Sequence, residues 1–160
     1  GAVSTRTANF LEACQRSGLE AEISSDIRRA IWEKFVFVIG TSATTATIRQ
    51  TIGPIRANPR TRTFLLEVMR EVVAVGRAHG VPLDDDFAET RLAFCDGLPA
   101  AMTSSMHTDL EQGKHLEVEW LSGSVVELGE AAGVPTPLNR AVRDILELRA
   151  QGKTVRGEAK

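Results

Sequence analysis

The sequence is poor in the features that most simply announce a function. It has two cysteines, Cys14 and Cys95, far apart and without CxxC spacing, which excludes a disulfide framework and a zinc-binding knuckle. They read as reduced core residues of a cytoplasmic protein. Charge of one sign is not in excess: 19 Lys and Arg stand against 21 Asp and Glu, a net charge of −2. That balance lacks the electrostatic footprint of a nucleic-acid binder. The longest uncharged run, Phe35 to Ile48, has 14 residues and carries five Ser or Thr. It is too short and too hydroxylated to span a bilayer, which takes about 20 apolar residues. No basic-then-apolar leader opens the chain, and no glycine-rich phosphate-binding turn or Walker motif occurs. At 160 residues there is room for one domain, not for a complete two-domain dehydrogenase.

What is present is helical periodicity. Phe64, Leu65, Val68, Met69, Val72 and Val73 recur at spacings of three and four, with Glu67, Arg70, Glu71 and Arg77 on the other side. Asn58-Pro59 supplies a cap and first turn, and Gly80 with Pro82 a stop. Asp84–Asp86 precede a helix that buries Phe87, Leu92 and Cys95. Another helix runs from Glu119 to Ala132 and stops at Gly133, and Thr136-Pro137 caps the next. Near the start, Thr7 to Ser17 forms a short helix, Leu19 to Ile23 is extended, and Ser24 or Ser25 caps a long helix through Trp32 and Val38. Breaks are expected at Gly40 and at Gly53-Pro54, bounding a separate Thr-rich helix. Strand alternation is nearly absent, so the fold class is all-α.

Three groups of residues could carry chemistry. Lys34 lies on the most apolar helix and shares a face with Val38, Thr41, Ser42 and Thr45 if that helix survives Gly40. Burial there would lower its pKa and suit it to protonate a nascent alkoxide; the alternative is a lysine whose stem covers apolar surface. Ser104, Ser105 and Glu117 flank a short helix, where serines cap and carboxylates serve the dipole. His79, His107 and His115 lack metal-ligand spacing, and nothing in the spacing of Ser105, His107 and Asp109 favours a catalytic triad. Between Glu33 and Glu67 there is no acidic residue, while Arg49, Arg56, Arg60 and Arg62 occur there. That stretch reads as a solvated loop, or else as a surface for an anionic ligand or partner domain.

Taken together, Asp26-Ile27 through Trp32-Glu33-Lys34-Phe35, Ser104-Ser105-Met106 with Asp109-Leu110 and Gly113, Glu117, and Gly133-Val134-Pro135-Thr136-Pro137-Leu138-Asn139 resemble the C-terminal domain of ketopantoate reductases (2-dehydropantoate 2-reductases). The resemblance covers about residues 5–150. It implies an all-helical domain similar to the C-terminal regions of 6-phosphogluconate dehydrogenases, following an NADP-binding Rossmann domain that this chain does not contain. The active site would lie in the cleft between the two, and the whole would form a homodimer in the cytoplasm, serving pantothenate and coenzyme A synthesis, with no nucleic acid or membrane partner.

The resemblance assigns roles residue by residue. Lys34 matches the catalytic lysine. Ser105 matches the serine that holds the 2-oxo acid, and Glu117 the carboxylate that contacts substrate hydroxyl or nicotinamide ribose. Ser42, eight residues after the lysine, stands with Val38 where family members carry asparagines, and Ser122-Gly123 replaces an Asn-Gly. These departures direct the expectation to ketopantoate or a related 2-oxo acid. Residues 1–4 read as a linker or cloning remnant, 5–150 as the substrate-binding and dimerisation domain, and 151–160 as a polar, frayed tail. Two other readings stay open: a non-catalytic helical dimerisation or partner-binding module, and a helical domain of the β-hydroxyacid dehydrogenase type.

Overall fold

The computed structural model describes residues 3–152; of the expected linker and tail, residues 1–2 and 153–160 lie outside them. Among the described residues there are eight α-helices, one π-helical turn and no strand. The helices are α1 (Thr5–Arg16), α2 (Ile27–Ile48), α3 (Ile52–Ala57), α4 (Pro59–Ala78), α5 (Phe87–Asp96), α6 (Ser105–Gln112), α7 (Ser124–Ala132) and α8 (Pro137–Ala150), with the π-turn Glu119–Gly123 running directly into α7.

Two long helices organise the bundle. α2 and α4 pack along one another, and α5, α6, α7 and α8 close around them. The seam is aliphatic: Val36, Ile39 and Ala43 of α2 meet Leu65, Val68, Met69 and Val72 of α4, all fully buried. Each large side chain so buried is worth about 1.5–3 kcal/mol relative to exposure. α4 starts and stops as its sequence predicts. Asn58 caps it, accepting from the amides of Arg60 and Thr61, and Gly80 takes a left-handed φ of 77° just beyond its end.

The expected breaks at Gly40 and Gly53-Pro54 do not occur. α2 runs unbroken for 22 residues through Gly40 and ends at Arg49, which adopts a left-handed φ of 57°. Gly40 instead makes room for a neighbouring helix, since a Cβ there would stand 2.5 Å from both Cγ and Cε of Met69. Gly53 and Pro54 lie inside α3, where proline in a first turn forfeits no helical hydrogen bond. The amide of Gly53 donates to the Ala100 carbonyl at 2.9 Å. Cys95 is buried as expected, and burial pushes its thiol up to about 11; Cys14 is only partly covered.

The cap of α8 also departs from expectation, because Thr136 makes no side-chain cap bond. The carboxylate of Glu71 on α4 substitutes for it. It accepts from the amides of Leu138 at 2.7 Å and Asn139 at 2.9 Å, and from Asn139 Nδ2 at 2.7 Å. A negative group at a helix N-terminus satisfies free amides and opposes the helix dipole.

Candidate active site

Because α2 is continuous, one of its faces carries Lys34, Val38, Thr41 or Ser42, and Thr45 in succession. Eleven residues at 1.5 Å each separate Lys34 from Thr45 by about 16 Å along the axis. At the far end a hydroxyl relay joins α2 to α6. Thr45 Oγ1 donates to the Thr41 carbonyl at 2.7 Å and lies 2.7 Å from Ser104 Oγ. Since a carbonyl only accepts, the Ser104 hydroxyl donates to Thr45. Ser104 Oγ in turn accepts from the His107 amide at 3.1 Å, capping α6. The relay is buried, so the start of α6 is fixed against α2.

Ser105 is the first residue of α6 and is exposed. Glu117 is exposed as well, held in place by its buried neighbours Leu116 and Val118. The Leu116 amide donates to the Ala150 carbonyl of α8 at 2.8 Å. The Glu117 carbonyl accepts from the Leu121 amide at 2.9 Å, and the Val118 carbonyl from the Gly123 amide at 3.0 Å, a five-residue span that widens the turn. That wide turn carries Ser122 and Gly123 into the interior, and Ser122 Oγ is buried with no hydrogen-bond partner among the described residues.

Lys34 is exposed on α2, so of the two readings its apolar surroundings allowed, the solvent-facing lysine holds and the buried one does not. Its neighbour Glu33 is turned away, accepting from Arg29 Nε at 2.8 Å while Arg29 also holds Asp84 at 2.8 Å. These acceptors raise the Arg29 pKa further. α2, which bears Lys34, touches both α6, which bears Ser105, and the π-turn, which follows Glu117. No hydrogen bond or ion pair joins those three side chains among the described residues. Ser42 is set apart from them: it is buried where α2 passes through the bundle.

Ser104, which anchors the start of α6, was not distinguished by sequence from Ser105; the Thr45 face was the available signal. A Ser105–His107–Asp109 triad is not formed, because His107 Nδ1 engages Thr103 Oγ1 at 2.6 Å and its Nε2 lies 3.6 Å from Glu111. Among the described residues no cluster of three or more His, Cys, Asp or Glu could hold a metal.

The arginine-rich stretch is not a solvated loop but runs through α3 into α4, and three of its four arginines are engaged within the bundle. Arg56 donates to the carbonyls of Cys95 and Leu98 at 2.8 and 2.7 Å, at the C-terminal end of α5. Arg62 pairs with Asp96, and Arg49 with Glu111 at 2.7 Å. These hydrogen bonds hold the carboxyls of Asp96 and Glu111 below the usual carboxylate range.

Comparison with known proteins identifies the family. The family model described as ketopantoate reductase PanE/ApbA C terminal matches residues 26–150. This chain belongs to the ketopantoate reductase family, as its C-terminal domain. The 2-dehydropantoate 2-reductases of Halobacterium salinarum and Pyrobaculum aerophilum are 31% and 32% identical to it over 148 and 142 residues, covering 92% and 89% of the chain but 48% and 50% of theirs. The chain therefore spans about half the length of these relatives. The ketopantoate reductase structure from Ralstonia eutropha superposes with a TM-score of 0.83 at 30% identity, over 92% of this chain and 49% of its own. The dimeric enzyme from Staphylococcus aureus does so with a TM-score of 0.83 at 25% identity, over 92% and 51%. D-mandelate dehydrogenase shares the fold, with a TM-score of 0.81 at 17% identity over 92% of this chain and 63% of its own. No helix among the described residues is long and apolar enough to cross a membrane.

Proposed function

We propose that this chain is the substrate-binding half of an NADPH-dependent reductase that converts the C2 ketone of ketopantoate, or of a related 2-oxo acid, to the alcohol, working as a dimer in the cytoplasm. The observation that carries the proposal is the continuous face of α2. It leads from exposed Lys34 to the hydroxyl relay at the start of α6, beside exposed Ser105.

Among the described residues no strand is followed by a glycine turn and helix, and in this reading a preceding Rossmann domain holds the dinucleotide phosphates. The exposed Glu117 carboxylate, with no hydrogen-bond partner among the described residues, does fit a ribose or substrate hydroxyl. NADPH supplies the hydride when it is bound by that other domain. The Lys34 ammonium donates a hydrogen bond to the ketone oxygen, stabilises charge as it develops, and passes a proton to give the hydroxyl. Ser105, at the first position of α6, offers its hydroxyl to the substrate carboxylate. Val38 lines the same face with an apolar side chain, which favours an acid with an apolar C3 substituent over one that needs a hydrogen bond there. Buried Ser42 is left out of the contact set.

The test is kinetic, in the full-length protein that contains this chain. Lys34→Ala should lower kcat/KM for ketopantoate reduction by 10²- to 10³-fold, about 3–4 kcal/mol, as removal of a preorganised donor to a developing oxyanion does. An unchanged kcat/KM would defeat the assignment.

A further inference from the structure

His107 stands two residues after Ser105, and the proposed chemistry gives it no part. Its side chain is only 11% exposed, and an imidazole so covered needs a partner for each ring nitrogen. Nδ1 has Thr103 Oγ1 at 2.6 Å. Nε2 faces Glu111 Oε1 at 3.6 Å, too far for a hydrogen bond but close enough for ionic attraction when the ring is protonated. Glu111 is itself held by Arg49 Nε at 2.7 Å, and Arg49 is the left-handed residue that ends α2. Arg49, Glu111, His107 and Thr103 thus form a line from the end of α2 to the segment in front of α6.

That line runs beside the Thr45–Ser104 contact and does something the contact alone does not. One bond between two helices is a pivot, about which the start of α6 can still swing. Thr45 and Arg49 are four residues apart, about 6 Å along α2, so a second tie at that separation removes the swing. Ser104 has already spent its hydroxyl, which donates to Thr45 and accepts from the His107 amide. Thr103 makes no cap bond to α6, and its hydroxyl has His107 as its hydrogen-bond partner among the described residues. We propose that His107 is a positioning residue for Ser105: by holding Thr103 it fixes where the Ser105 hydroxyl stands relative to Lys34, and so how well the substrate carboxylate is bound. The proposal rests on the reductase reading for the role of Ser105 and adds the tie that serves it.

Steady-state kinetics of the full-length protein that contains this chain test it, with ketopantoate or the 2-oxo acid it reduces best. Asparagine places an amide atom where Nδ1 stands and glutamine one where Nε2 stands, so the two variants separate the two ring contacts. His107→Ala and His107→Gln should raise KM for the 2-oxo acid about tenfold, since small misplacements of a binding group are costly. KM for NADPH should stay within about twofold, and His107→Asn, which keeps the tie to Thr103, should stay within about twofold of the parent for both substrates. Thr103→Val should reproduce His107→Ala, and decides the matter if His107→Ala does not fold. In a Ser105→Ala background the further loss from His107→Ala should shrink to about twofold or less, because nothing is left to position. An undiminished loss there would mean general loosening and would overturn the proposal, as would failure of His107→Asn to rescue. If Ser105→Ala raises KM while His107→Ala and Thr103→Val do not, this proposal fails and the proposed function stands. If Ser105→Ala itself leaves KM unchanged, the role given to Ser105 in that function fails, and the positioning role with it.

Discussion

At Gly40 a hydrogen occupies the space in which any other residue would bring a carbon to 2.5 Å from two atoms of Met69. Taken by itself, glycine in mid-helix costs about 1 kcal/mol relative to alanine, so propensity favours Gly40→Ala. Overpacking a filled core costs about 1–3 kcal/mol, and Met69 is fully buried and would be met at Cγ as well as at its terminal Cε. The steric term wins: Gly40→Ala should destabilise the chain by about 1–2 kcal/mol in urea unfolding. Paired with Met69→Ala, which makes space at that point, its cost should vanish; additive costs for the two substitutions would refute the contact. The same residue shows what a linear reading misses. Gly40 looked like a helix breaker because its real constraint is a side chain 29 positions away on α4. For Lys34 the sequence left burial and a solvent-facing ammonium both open, and the exposed position decides for the second, since an apolar helix need not be covered on every side by its own domain. Its shared face with Thr45 was legible, because 3.6-residue periodicity requires no knowledge of neighbours once the helix is continuous.

Helix α8 depends on an acid from another helix. Removing Glu71 strips the two amides at its start and the buried Asn139 side chain of their acceptor at once. Bonds to a charged group are worth about 1.5–3 kcal/mol, and buried donors left unpaired add to the loss. Glu71→Ala should therefore cost about 2–4 kcal/mol in thermal or urea unfolding, with Glu71→Gln recovering part of it. A Glu71→Ala protein as stable as the parent would mean that water serves the α8 terminus equally well. Most other boundaries were legible because their signals are local: Asn58-Pro59 before α4, Gly113 and Gly133 with positive φ after α6 and α7. The π-turn was not. Leu121, Val125 and Leu128 fit an ordinary helical period, and nothing local marks the one-residue widening that turns Ser122 and Gly123 inward where the chain packs against α2 and α8.

On the scale of the molecule, the proposed reaction makes this chain one wall of a cleft. Its three proposed site residues point to solvent, and solvent weakens what they can do. Two unit charges 4 Å apart interact by about 1 kcal/mol in water and about 4 kcal/mol at the effective dielectric of a protein surface. An ammonium that must stabilise a growing oxyanion thus gains most of its effect once a facing domain excludes water. Under the proposed function that domain also brings the dinucleotide. The 160-residue chain alone should therefore show no saturable NADPH binding by calorimetry. With ketopantoate present it should oxidise NADPH no faster than buffer does. Turnover by the isolated chain would mean that the fold carries its own nucleotide site, and Lys34 would then have to act from an open surface, against the dielectric argument that makes a second domain necessary.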